Sequence, residues 1–247
     1  MTGTIDLNAD LGEGCAYDAE ILALVSSCSI ACGGHAGDAA TMDEALARAS
    51  EAGVACGAHP GFPDKEHFGR RHLDLPAAEL RSSLREQLEA IADVAARRGV
   101  PLAHVKPHGA LYHAADQDAA IAAMIVELAG EHLDSAAAYG PPGGALERAA
   151  HARGIRFVSE GFADRLYQAN GKLTPRSEQG AVIADANACA AQALSIAREG
   201  RASLSGGTTV AVPVRTICLH GDKPEALANA RAVRAALDRA DIRVERP

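Results

Sequence analysis

The chain has 247 residues, of which 48% are hydrophobic, with 24 Lys and Arg against 32 Asp and Glu for a formal charge of -8. A chain of this length buries roughly three quarters of its unfolded surface, so a folded single domain spanning 1–247 is expected and disorder is excluded. The acidic balance lacks the basic excess that phosphate neutralisation needs, and 3% aromatic residues with no Trp make a poor stacking platform, so both argue against nucleic acid as a partner.

In chain order, strands are expected near residues 4–10, 28–33, 54–59, 102–108, 135–139, 155–160 and 215–220, each followed by an Ala-rich helical stretch or a polar loop. Three helices end on a Gly followed by a β-branched residue, at Gly53-Val54, Gly99-Val100 and Gly154-Ile155. Glycine suits a left-handed helix terminus, and the β-branched residue opens the next strand. Helix starts are read at Thr41 with Glu44 as a capping box, at Pro76 and at Pro224. Between 76 and 98, Leu80, Leu84, Leu88, Ile91 and Ala95 form one apolar stripe at helical period. The N-terminal Met-Thr-Gly-Thr-Ile-Asp-Leu has neither the basic start nor the apolar core of a signal peptide, and no apolar run reaches the ~18 residues of a membrane span. A cytoplasmic location away from membranes is expected. The six Cys lack paired spacing and are read as buried, reduced thiols.

Strands alternating with helices imply a parallel sheet. Strand parity separates an open sheet from a closed one. Ile5, Leu7 and Ala9 alternate with Asp6, Asn8 and Asp10; Ile217 and Leu219 alternate with Thr216, Cys218 and His220; Lys106 and His108 share a side. A doubly wound sheet is apolar on both faces, whereas a barrel tolerates a polar interior near one end. The expected fold is therefore α/β, a single seven-stranded βα barrel. Residues 59–75 and 160–184 are long segments after strand ends, where barrel active sites are built.

Each strand end delivers a polar cluster: Asn8 to Glu13, His35 to Asp38, His59, Lys106 to His108, Glu160, and His220 with Asp222. The carboxylates and imidazoles offer general acids and bases, Lys106 offers a cation for an oxyanion or carboxylate, and Arg165 and Arg176 suit bidentate anion recognition from a lid. Asp10, His59 and His108 are also candidate ligands for a divalent metal, a choice that spacing leaves open because the ligands come from separate strands. Gly-x-Ser-x-Gly and phosphate-loop patterns are absent, and Ser205-Gly206-Gly207-Thr208-Thr209 reads as a turn before the seventh strand.

Several of these stretches form a specific set: Asp6 to Glu13, Ile30-Ala31-Cys32-Gly33 with His35 to Asp38, Gly57 to Pro60, Phe68-Gly69-Arg70, Val105 to Tyr112, Phe162 to Arg165, Pro175-Arg176 and Cys218 to Asp222. In this order they resemble the LamB/YcsF family, the A-type subunit of prokaryotic 5-oxoprolinase, nearly end to end. The resemblance implies a barrel of the glycoside hydrolase and deacetylase type. It also implies ATP-dependent opening of the lactam of 5-oxoproline to L-glutamate together with subunits B and C, with ATP as co-substrate bound alongside those partners.

On that basis Asp10 or Glu13 is expected as general base, His59 and His108 as proton carriers, and Lys106 as oxyanion or carboxylate partner. Asn8, His35, Glu160, Arg165, Arg176, His220 and Asp222 are expected to bind substrate, His220 and Asp222 as a pair. The sequence leaves open a homo-oligomer, a stand-alone metal-dependent amidase or deacetylase, and a non-catalytic substrate-binding subunit. Two positions depart from the family pattern. Gly34 stands where Phe is expected, which predicts a wider pocket beside His35, and Asn170 stands where an Asp is expected in the lid.

Overall fold

A computed structural model describes residues 3–134 and 136–247. In chain order it contains β1 (Thr4–Leu11), α1 (Asp18–Leu22), β2 (Ser27–Ala31), α2 (Ala39–Glu51), β3 (Ala55–His59), α3 (Ala77–Arg98), β4 (Leu102–Val105), α4 (Gly109–Gln117), α5 (Ala119–His132) and β5 (Ala137–Gly140). There follow α6 (Ala145–Ala152), β6 (Phe157–Phe162), α7 (Ala186–Glu199), β7 (Arg201–Ser203), β8 (Thr209–Ala211), β9 (Thr216–Leu219), α8 (Ala226–Arg239) and β10 (Arg243–Val244). Strands β1, β2, β3, β4, β5, β6 and β9 pair in parallel in that order, and β9 returns to β1 with Asp6 opposite Thr216 and Ala9 opposite Leu219, closing the seven-stranded barrel.

The strand bounds differ from the expected ones by at most three residues, and the expected start of the fifth falls on Ser135, outside the described residues. The Gly-rich segment at 205–209 forms the turn of the β7–β8 hairpin, an element the sequence pattern did not disclose. The cap of α2 also differs. Asp38, not Thr41, is the N-cap, accepting hydrogen bonds from the Ala40 and Thr41 amides, while the Thr41 hydroxyl completes the capping box. Glu44 instead pairs with Arg48 one turn on. Pro76 sits at the N-cap of α3, one residue earlier than expected, and α8 begins two residues after Pro224. Gly53, Gly99 and Gly154 all adopt positive φ, as their junction positions require.

Parity decides what each strand buries. Outward residues Leu7, Ala9, Ile30, Ala58, Val105, Ala138 and Ile217 are fully buried and pack under the helices. From α3, Leu80, Leu84, Leu88, Ile91 and Ala95 enter the same core, each Leu or Ile contributing about 1.5–3 kcal/mol of burial. Many of the inward residues are polar, beside a small apolar cluster of Ala137, Tyr139 and Val158, so the barrel axis is stable only if the polar groups satisfy one another. Ser26, Ser27 and Thr216 donate to Asp6, and Asn8 donates to Glu160 and Thr216. His104 lies on the axis, stacked on Tyr139 at 4.0 Å, because the opposite position is Gly57; a Cβ there would meet the His104 ring at 2.3 Å. No described helix is long and apolar enough to cross a membrane.

Candidate active site

The carboxyl ends of the strands open into a cavity of about 1440 Å³ with Asp10, Glu13, His59, Lys106, His108 and Glu160 at its floor. Lys106 is 1% exposed, and its ammonium donates to Asp10 Oδ1 at 2.8 Å, Asn8 Oδ1 at 3.0 Å and Cys218 Sγ at 3.1 Å, with Glu160 Oε1 at 2.9 Å. Its three protons are therefore committed within the protein. In this arrangement Lys106 is the counter-ion of Asp10 and Glu160. Burial works to raise the Asp10 carboxyl, but the His59 ring and the Lys106 charge outweigh it and hold Asp10 well below the usual carboxylate range.

Glu13 reaches the axis from the loop after β1. Its Oε1 lies 3.0 Å from His35 Nε2, 3.1 Å from His108 Nδ1 and 3.7 Å from His59 Nε2. His59 Nδ1 donates to the Lys106 carbonyl at 2.7 Å and His108 Nε2 to the Phe68 carbonyl at 2.9 Å. Those carbonyls fix the protons on the outer nitrogens, so His59 Nε2 and His108 Nδ1 face each other at 3.0 Å with lone pairs inward, against a carboxylate oxygen. Phe68 adopts φ 55°, an unfavourable conformation for a side-chain-bearing residue, and thereby aims its carbonyl at His108. Gly69 follows at φ 62°, where a Cβ would lie 2.7 Å from His35 and 3.0 Å from His108.

This donor set fits a divalent metal. Three electron-rich atoms converge, Glu13 Oε1, His59 Nε2 and His108 Nδ1, and either a cation or a proton on His108 Nδ1 relieves their contacts. Coordination lies in the imidazole plane along the lone pair, and His35 and His108 stack at 3.6 Å with planes 3° apart, so the two rings cannot share one ion. His59 and His108, at 87°, can. Glu13, His59 and His108, with Asp10 Oδ2 3.4 Å from His59 Nε2, would hold the ion. His35 would orient Glu13 from behind.

Among the other expected residues, Arg165, Arg176 and His220 line the cavity wall. Asn8, His35 and Asp222 do not: they stand behind lining residues, against Lys106, Glu13 and Arg70 respectively. His220 pairs with Asp164 at 2.8 Å and Asp222 with Arg70 at 2.7 Å, so the expected pairing of His220 with Asp222 is replaced by two separate ones. Gly34 does not widen the pocket. The space its Cβ would take is filled by Gln87 of α3 at 2.4 Å, whose amide clamps both the Gly61 amide and carbonyl. Asn170 accepts from the Lys172 amide in the lid turn.

Sequence reasoning passed over Tyr112, Arg70 and Gln192. Tyr112 and Arg70 stood inside quoted motifs, but nothing local said that they reach the cavity. Gln192, on α7, ties the lid by donating to the carbonyls of Phe162, Ala163 and Arg165; its position in an Ala-rich helix gave no signal.

A crystal structure of a lactam utilization protein from Thermus thermophilus is similar at 40% identity and a TM-score of 0.90, covering 98% of this chain and 99% of that one. Peptidoglycan deacetylase PdaC from Bacillus subtilis, at 14% identity and a TM-score of 0.52 over 99% of this chain and 87% of its own, shares the fold. So does the polysaccharide deacetylase Bc1974 from Bacillus cereus, at 14% identity and 0.50 over 99% and 92%. The LamB/YcsF family profile matches residues 5–247, and with the strand-end clusters assembled around one cavity the chain belongs to the LamB/YcsF family.

Proposed function

We propose that this chain opens the lactam of 5-oxoproline to L-glutamate as the A-type subunit of an ATP-dependent 5-oxoprolinase acting with subunits B and C. The observation that carries the reading is the floor of the cavity. Asp10, kept ionised by Lys106, stands beside His59, whose ring is in turn 3.0 Å from His108. A lactam amide is cis, so its N–H and C=O point to the same side. Among the described residues, Glu160 Oε2 and the Tyr112 hydroxyl are buried without a hydrogen-bond partner other than each other, and both residues line the cavity. They offer one acceptor for the N–H and one donor for the C=O. Asp10 takes a proton from the attacking water, and His59, which Asp10 pulls toward its charged form against burial, carries a proton toward the leaving nitrogen.

An unstrained five-membered lactam is a poor electrophile and recloses readily, so ATP supplies the driving force through the partner subunits. A second reading, a metal-dependent amidase working alone, is favoured by the converging lone pairs of Glu13, His59 and His108; a bound ion would supply Lewis acidity toward the carbonyl. The test is glutamate release from 5-oxoproline with ATP by this chain alone, by B with C, and by all three together. Release by the full set alone supports the proposal. Release by this chain alone without ATP rejects it for the amidase.

A further inference from the structure

Gly61 follows β3 in a stretch without regular secondary structure, yet it is buried. A buried peptide must find partners for both its N–H and its C=O. Here both go to one side chain of α3: the Gly61 amide donates to Gln87 Oε1 at 2.9 Å, and Gln87 Nε2 donates to the Gly61 carbonyl at 2.9 Å. Gln87 is itself buried behind the cavity wall, and its Nε2 also reaches Ser83 Oγ at 3.2 Å. The amide fits there because Gly34 has no side chain; a Cβ on Gly34 would come within 2.4 Å of Gln87 Oε1.

Gly61 in turn abuts His35. A Cβ on Gly61 would lie 2.7 Å from His35 Nδ1 and one on Gly69 2.7 Å from the His35 Cβ, so backbone walls the ring on two sides while His108 stacks on it at 3.6 Å. His35 Nδ1 is buried and, among the described residues, has no hydrogen-bond partner, whereas Nε2 meets Glu13 Oε1 at 3.0 Å. Those two contacts select the tautomer. A proton on Nε2 gains a charge-assisted bond to a carboxylate, and one on Nδ1 would be buried without an acceptor. The ring therefore aims its N–H at Glu13 from a place that the Gly61 peptide sets.

We infer that Gln87 is a positioning residue for the cavity floor: by clamping the Gly61 peptide against the Nδ1 edge of His35, it fixes the hydrogen bond through which His35 orients Glu13 toward His59 and His108. Glu13 Oε1 lies 3.1 Å from His108 Nδ1, so a shift of His35 passes directly to the imidazole pair. A misplacement of about 1 Å among reacting groups costs about 100-fold in rate, which makes a fraction of that shift measurable. Gly34 belongs to the same device, because the loop after β2 leaves the room that the amide from α3 occupies. The effect of the clamp on turnover rests on the amide-opening reading above; its effect on the His35 ring does not.

The test uses two variants that remove the clamp from opposite sides. Gln87→Met keeps the length of the side chain and loses its hydrogen bonds. Gly34→Ala pushes the amide away with one methyl group, and since the atoms it meets are the tip of a flexible side chain, the backbone is left in place. Long-range proton–nitrogen spectra of the imidazoles in the isolated full-length chain report His35 directly. In both variants the two His35 nitrogens are expected to lose the wide separation of a single Nε2–H tautomer, and the ring protons of His35 and His108 to shift as the stack loosens, while those of His104 stay in place. In the three-subunit assembly kcat is expected to fall about tenfold with KM within about twofold of wild type. The double variant is expected to lose about tenfold as well, not the ~100-fold product of independent changes. Ile91→Val trims the core face of the same helix and should leave both the His35 signals and kcat as in wild type. Unchanged His35 signals in both variants, a KM rise at constant kcat, multiplicative losses, or equal losses in Ile91→Val overturn the role of Gln87. If the assembly releases no glutamate while the His35 signals change as expected, the proposed activity falls and the clamp stands.

Discussion

Replacing Lys106 by Met keeps the aliphatic stem and removes the charge that holds two buried carboxylates. Lys106 lies 2.8 Å from Asp10 and 2.9 Å from Glu160, both of which are at most 5% exposed at the side chain. Removing one partner of a buried ion pair costs about 3–5 kcal/mol, chiefly because the remaining charge is left uncompensated. The loss stays near that range, not twice it, because one orphaned carboxyl can take up a proton. Without the lysine, burial drives the Asp10 carboxyl upward with less to oppose it, so the variant loses stability relative to wild type as pH increases. Urea unfolding of Lys106→Met should therefore show a deficit against wild type that is largest near about pH 8 and shrinks toward about pH 5. Adding Glu160→Gln should recover part of the deficit in the variant while destabilising the wild type. A deficit below about 1 kcal/mol, or one that is independent of pH and of Glu160, would refute the role of Lys106 as their counter-ion.

Further outcomes follow from the same geometry. Gly57→Ala drives a methyl into the His104 ring and should destabilise by about 1–3 kcal/mol; Gly57→Ala with His104→Ala should be more stable than the two single losses summed, as read by a double-mutant cycle. For Asp18, burial raises the pKa to about 6, so its folded state binds protons more tightly than the unfolded chain and stability drops as pH climbs from about 4 to about 6. Asp18→Asn should then melt above wild type near about pH 7.5 and level with it near about pH 4. If a divalent ion occupies the floor, elemental analysis of purified variants should find it retained in His35→Ala and lost in His108→Ala, since His35 lies in a plane parallel to His108; equal loss in both would contradict the ligand set.

The fold was legible because its signals are local. The alternation of Ile5, Leu7 and Ala9 with Asp6, Asn8 and Asp10 pointed to a polar axis, and the helix-ending glycines marked where strands begin. The membership of the floor was also legible, since Asp10, His59, Lys106 and His108 all stand at strand ends. Partnerships were not. Whether Lys106 is free for substrate depends on Glu160 and Cys218, which arrive from β6 and β9, and no spacing along the chain predicts that its protons are spent. The same limit explains Gly34: its consequence depends on Gln87, which sits 53 positions away on α3 and fills the gap. The stacking of His35 on His108, which separates supporting ring from ligand, follows from the turn at Phe68 and Gly69, a feature of backbone conformation rather than composition.

The most direct test of the central claim, that the strand-end acids and imidazoles work on one amide in one cavity, is glutamate release by the reconstituted three-subunit assembly carrying Asp10→Asn or His108→Ala, with circular dichroism confirming the fold of each. The account predicts that either change lowers the rate by roughly 100-fold or more, with 5-oxoproline still bound. Full activity in a folded Asp10→Asn subunit would contradict it.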